Sequence, residues 1–212
     1  MITPLLATAT PGAPEHGLLL QLLVIFLAAA FTDNILLTRF LGMCSFLAIS
    51  RQMKTSLGLG VAVALVTTAT AGLNYLVHRF ITVPLGIEFL ELIIFIVVIA
   101  AFVQLVEMVV ERVSLPLYFA LGIFLPLITV NCAILGVSLF MLNKAGYGFW
   151  QCLVFGAGSG FGWMLAILLM AGIRQRLKTD KIPAGLQGAG ITLIITGIIA
   201  LAFVGFSGMI KF

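Results

Sequence analysis

Long apolar runs constrain this chain more than any other feature. Six of them lie at about residues 17–50, 56–77, 88–110, 116–142, 149–173 and 188–210, with most of the charge between them. A helix needs about 20 apolar residues to cross the hydrocarbon of a bilayer. The runs are apolar throughout instead of alternating, which argues against a transmembrane barrel. Charged residues make up only 8% of the chain and hydrophobic residues 62%, whereas a soluble domain carries about 25% charged residues. That scarcity of charge excludes an ordinary soluble surface, and disorder would need the opposite balance. The expected fold class is therefore an all-α integral membrane protein with six transmembrane helices, in contact with membrane lipid.

The basic residues act as topology signals. Net charge is only +4 and forms no patch suited to nucleic acid. Arg51, Lys54, Arg112, Arg174, Arg176, Lys178 and Lys181 fall on one side of the expected membrane, and Arg79, Lys144 and Lys211 on the other. The positive-inside rule makes the first side cytoplasmic and puts both termini on the opposite side. The first basic residue is Arg39. The N-terminus thus lacks the positive start of a signal peptide, and the apolar beginning is expected to be retained. The first run is too long for one span: as a single helix it would reach about 51 Å at 1.5 Å per residue, against a hydrocarbon core of about 30 Å. It must break, leave or re-enter the membrane, and Gly42 is the candidate break.

An internal repeat adds a second constraint. Cys44-Ser-Phe-Leu-Ala-Ile-Ser50 matches Cys132-Ala-Ile-Leu-Gly-Val-Ser138, and at the same offset Gly58 matches Gly146, Gly60 matches Gly148 and Gly72 matches Gly160. With three spans in each copy, the second begins from the opposite side. The expected organisation is an N-terminal extension (1–16), a first three-helix repeat (17–110) and a second, inverted repeat (111–212), whose first and fourth helices are broken. Folds of this kind place their sites at mid-depth on interrupted helices, and Cys44 and Cys132 hold equivalent positions there. Thiolates are soft ligands suited to iron–sulfur centres, zinc or Cu(I). Iron–sulfur clusters usually take four cysteines, so two would have to come from a partner. A buried cysteine can equally be a small hydrophobe, and the repeat is what favours ligation here. Cys152 has Ala64 as its repeat counterpart and reads as packing.

The stretches F-L-G-M-C-S-F-L-A-I-S (40–50), K-T-S-L-G-L-G (54–60), L-G-I-F-L-P-L-I-T-V-N-C-A-I-L-G (121–136), G-S-G-F-G-W (158–163), A-G-I-R-Q-R-L-K (171–178) and L-A-F-V-G-F-S-G-M (201–209) resemble NqrE, the E subunit of the Na+-translocating NADH:quinone reductases. The likeness runs from about residue 20 to the end. The sister family, the RnfA subunit of ferredoxin-linked Rnf complexes, usually has Pro after the first cysteine and T-T-N-C at the second. Ser45 and Thr129-Val130-Asn131 depart from that pattern. The resemblance implies membership of a six-subunit complex in a bacterial inner membrane, with both termini periplasmic. It implies a homologous, oppositely oriented NqrD-like partner, with Cys44 and Cys132 supplying two of the four ligands of a shared [2Fe–2S] iron centre. Electrons would cross the membrane through that centre toward ubiquinone, coupled to Na+ export. The chain would not be catalytic alone.

Other features have simpler expectations. Glu91 and Glu107 are expected to snorkel or pair near the ends of the third span, and Arg39 falls in the segment that must break. Asp33-Asn34 is the best cation-contact candidate, and Asn131 is expected to bond backbone freed at a break. Gly156, Gly158, Gly160 and Gly162 form two overlapping GxxxG pairs suited to close helix packing. His16 and His78 are expected in loops without co-ligands. Alternative functions are an RnfA-type component of a ferredoxin:NAD oxidoreductase, an inverted-repeat secondary transporter working through Asp33, and a structural scaffold.

Overall fold

The computed structural model describes residues 15–113, 125–143, 147–177 and 183–207. The remainder of the N-terminal extension, the start of the fourth run, and Lys144, Lys178, Lys181 and Lys211 lie outside the described residues. Those described are helical or irregular, with no strand among them. Among them, three helical stretches are long and apolar enough to cross a membrane, Met53–Leu85, Glu91–Val109 and Phe149–Arg176, and three shorter apolar ones are Gly17–Thr32, Leu127–Leu142 and Ala189–Gly205.

The chain opens with α1 (Glu15–Leu27) and a π-helical turn, Ala28–Thr32. The first run breaks as expected: helical backbone ends before Asp33, and Gly42 stands at the far end of the break, directly before the next helix. Asn34 supplies the physical reason. Its Oδ1 accepts the backbone N–H of Leu36 and Leu37 at 3.1 and 3.3 Å, and its Nδ2 donates to the carbonyls of Ala30 and Gly162 at 3.0 and 2.8 Å. The amide thereby replaces the hydrogen bonds that a continuing helix would have made. Irregular backbone survives at membrane depth only when buried in protein, and Asn34, Ile35, Leu36 and Leu37 are all buried. The loop ends with Phe40 and Gly42 in the left-handed region, at φ 55° and 80°. A short helix, α2 (Met43–Ile49), follows.

The long helix α3 (Met53–Val77) runs on through a π-helical turn, His78–Thr82, into a single turn, α4 (Val83–Leu85). The stretch between the second and third apolar runs is therefore largely helical. His78 lies in that helical continuation and His16 lies in α1, so neither histidine is in a loop. After a 3₁₀ turn at Glu88–Leu90 comes α5 (Glu91–Val113). The fourth run is broken between α6 (Leu125–Thr129) and α7 (Cys132–Asn143), and the fifth and sixth form α8 (Phe149–Arg176) and α9 (Ala189–Ser207).

In lipid, apolar burial gives helices little reason to associate, so close backbone packing carries more of the load. The two GxxxG pairs do this on two faces of α8. A Cβ on Gly156 or Gly160 would come within 2.7 Å of Ala71 Cβ or Ala64 Cα on α3. A Cβ on Gly158 or Gly162 would come within 2.7 or 2.6 Å of the carbonyls of Phe26 and Ala30 in α1 and its π turn. Residues 60, 64 and 71 thus meet 164, 160 and 156, which makes α3 and α8 antiparallel. Hydroxyls inside this packing fold back on their own helices, as when Thr67 and Thr70 donate to the carbonyls of Val63 and Val66 at 2.6 and 2.7 Å. The antiparallel pairing also gathers Arg51 and Lys54 at the end of the bundle that holds Arg174 and Arg176. Arg174 binds across that end, donating to Leu47 O and Ser50 Oγ at 3.2 and 2.8 Å.

Candidate cofactor site at two broken helices

Two short helices begin where the chain resumes after its breaks, and each carries a cysteine in its first turn. Cys44 is in the first turn of α2, and Cys132 is the first residue of α7. Both thiols are free and exposed on the surface of this chain. The two helix starts meet: the backbone N–H of Gly42 donates to Cys132 Sγ at 3.0 Å. Ser45, one residue beyond Cys44, ties them again. Its hydroxyl donates to Gly42 O at 3.2 Å and accepts from Asn131 Nδ2 at 3.5 Å. Asn131 Oδ1 accepts the N–H of Ala133 at 3.1 Å, which meets the expectation that Asn131 bonds backbone freed at the break. The residues before Cys44 and before Cys132 are therefore held as one unit.

Gly42 is the pivot. Its φ of 80° is reached at little cost only without a Cβ. A Cβ there would also sit 2.7 Å from Trp163 Nε1 and 2.9 Å from Asn131 Oδ1. Trp163 is fully buried, and among the described residues its indole N–H has no hydrogen-bond partner. Trp163 lies at the midpoint of α8 (Phe149–Arg176), so the cysteine site lies level with the middle of that helix. Sequence reasoning passes over Trp163, because a Trp in an apolar helix is ordinarily core filling.

The remaining candidates lie apart from this unit or serve it. Cys152 is buried in the first turn of α8, in agreement with a packing role. Asp33 Oδ1 takes Arg39 Nε at 3.4 Å, and the Arg39 guanidinium stacks on the Phe140 ring at 4.6 Å, which links the first break to α7. Asp33 is thus paired with Arg39 and Asn34's amide bonds backbone, so both residues help to hold the break. Glu91 faces His78 at 3.8 Å, so His78 has an acidic neighbour that the sequence did not suggest. Among the described residues, no group of three or more His, Cys, Asp or Glu side chains forms a metal site. A four-thiolate centre at Cys44 and Cys132 would need a second pair from another chain.

Known proteins resemble this chain along most of its length. A family described as Rnf-Nqr subunit, membrane protein, matches residues 22–210. The E subunit of the Na(+)-translocating NADH-quinone reductase of Chlamydia muridarum is 53% identical over 203 residues, covering 90% of this chain and 83% of that protein. The Chlamydia caviae counterpart is 52% identical over 197 residues, covering 87% and 74%. That of Nitrosomonas europaea is 48% identical over 195 residues, covering 87% and 96%. With the family matched across almost the whole of its length and three such relatives alongside, this chain belongs to the Rnf-Nqr family of membrane subunits, among the E subunits of the Na+-translocating NADH-quinone reductases.

Proposed function

We propose that this chain is the electron-relaying member of a six-subunit Na+-translocating NADH:ubiquinone reductase in a bacterial inner membrane. Cys44 and Cys132 supply two thiolates to an iron–sulfur centre of the [2Fe–2S] type, and a homologous, oppositely oriented partner supplies the other two. The observation that carries this reading is the joined pair of helix starts, with two exposed thiols and Gly42 N–H on Cys132 Sγ at 3.0 Å. When bound, such a centre carries single electrons at mid-membrane depth. The chain's own residues make its charge tolerable there. Burying an unpaired charge costs several kcal/mol; the Gly42 N–H and the positive start of α7 both offset negative charge on Cys132 sulfur. Asn131 and Ser45 keep the two sulfurs' backbones in register. The six apolar segments form two inverted three-helix repeats, in keeping with breaks just before both cysteines.

Purified complex should contain iron and acid-labile sulfide beyond what its NADH-oxidising component holds alone. Amounts equal to that component's own would overturn the shared centre. Orientation has its own check. The arginine-rich end with Arg51, Arg174 and Arg176 is assigned to the cytoplasm, so reporter fusions at residues 180 and 212 should give cytoplasmic and periplasmic signals respectively. The reverse pattern would refute both the orientation and the direction of the electron path.

A further inference from the structure

The break in the first apolar run leaves a lane open along α8. In its first half, α8 is covered closely by α1 and the π-helical turn after it. A Cβ on Gly158 or Gly162 would meet the carbonyls of Phe26 and Ala30 at 2.7 and 2.6 Å, and the Phe26 and Phe161 rings lie 5.8 Å apart. Helical backbone then ends before Asp33. Leu165, Leu169, Gly172 and Arg176 continue the Gly158–Gly162 stripe at steps of three and four residues, which keeps them on the same face of α8. All four border an apolar groove of about 770 Å³ that begins at Phe161 and ends at Arg176 and Leu177. Every described residue bordering it lies on α8 or is Leu177. The groove is thus the continuation of the path that α1 leaves at the break.

Its depth and its charged end select an occupant. α8 has 28 residues, about 42 Å at 1.5 Å per residue. That is close to a bilayer with its headgroups, about 40–45 Å. The groove takes up the second half of the helix, from near the midpoint to the last turn, so it is one leaflet deep. A lipid tail fits that depth, whereas a continuous spanning helix needs a lane through both leaflets. Arg176 closes the groove at headgroup level, and a guanidinium matches a phosphate with two parallel hydrogen bonds. Arg51, Lys54 and Arg174 share that end of the bundle, and among the described residues no carboxylate pairs with any of the four. Arg174 is already engaged by Leu47 O and Ser50 Oγ, whereas Arg176 is exposed. Basic pockets at a membrane surface attract anionic headgroups. We infer that the groove binds one anionic phospholipid from the leaflet at the arginine end, its acyl chain along Leu165, Leu169 and Gly172 and its phosphate on Arg176. The site requires only the membrane fold and this charge, whichever role the cysteines serve.

Photolabelling of the intact complex in lipid nanodiscs tests the site. Two probes carry the same photoreactive acyl chain, one on phosphatidylglycerol and one on phosphatidylcholine, and each is added in trace amount. Label on residues 161–177 is measured against label on the exposed Leu193, Ile194 and Ile198 of α9. The phosphatidylglycerol probe should label the groove at least about fivefold more than the phosphatidylcholine probe, the preference that one basic residue confers. Arg176→Gln should remove most of that preference, and Leu169→Trp should obstruct the lane and lower label from both probes. Iron content should stay unchanged in both variants, which separates failure here from failure of the electron relay. Equal labelling by the two probes would make the groove ordinary lipid-facing surface and overturn the inference, as would a preference undiminished in Arg176→Gln. Residues 161–177 left unlabelled by both probes would mean that another subunit covers the groove, and would overturn it as well.

Discussion

Replacing Cys44 or Cys132 with serine should remove the membrane iron centre and bring quinone reduction down to background, while Cys152→Ser leaves both nearly intact. Serine is close in shape to cysteine but is a poor ligand for a soft metal. Cys44 and Cys132 are exposed and lie on the two helix starts joined through Gly42, so a buried hydroxyl cannot explain a large effect at either. Cys152 is the one of the three that is buried, and there serine risks an unpaired hydroxyl worth about 1–3 kcal/mol. A purely structural role for the thiols thus predicts the reverse ranking, with Cys152→Ser the most damaging. Iron content and the visible spectrum of each purified complex decide between the two rankings. NADH oxidation by an artificial acceptor should survive all three changes, since those electrons leave before the membrane step. Iron retained in Cys44→Ser would refute the ligand assignment.

The path from sequence to site is open in some places and closed in others, for physical reasons. Length and hydropathy suffice for α8 and α9, because a helix in lipid must satisfy its backbone internally and its apolar run records its extent. The cysteine pair is legible because the repeat puts both residues at one register. The break at Asp33 is not. It depends on Asn34 reaching the carbonyl of Gly162, a contact across 128 positions that no local pattern encodes. The helical turns at 78–85 are hidden for a different reason. Arg79 and Pro84 read as loop residues, yet Pro is tolerated at the start of a helical turn, and Pro84 stands there in α4. Glu91 reads as an interfacial charge until the π-helical turn brings His78 opposite it. Trp163 gains its meaning only from Gly42, which lies against its indole nitrogen.

That contact leads to the second large effect. Gly42→Ala should strip most of the iron from the complex, though it adds a single methyl group. Two costs combine. A Cβ at φ 80° is disfavoured by about 1–2 kcal/mol. The new atom would also lie 2.7 Å from Trp163 Nε1 and 2.9 Å from Asn131 Oδ1, an overpacking worth about 1–3 kcal/mol. The chain relieves both by moving Gly42, and with it the N–H that reaches Cys132 Sγ. Gly58→Ala provides the contrast, because nothing lies within 4 Å of a Cβ there. In a helix interior that change should be neutral or stabilising by up to about 1 kcal/mol. The cause can be isolated by a double-mutant cycle. Trp163→Phe removes the Nε1 atom that the new methyl meets, so Gly42→Ala with Trp163→Phe should recover part of the iron lost in Gly42→Ala alone. Full recovery is not expected, because the left-handed backbone still penalises alanine. A double variant no better than the single one would show that the indole is not what confines Gly42, and the close approach of Trp163 to the cysteine site would lose its mechanistic role.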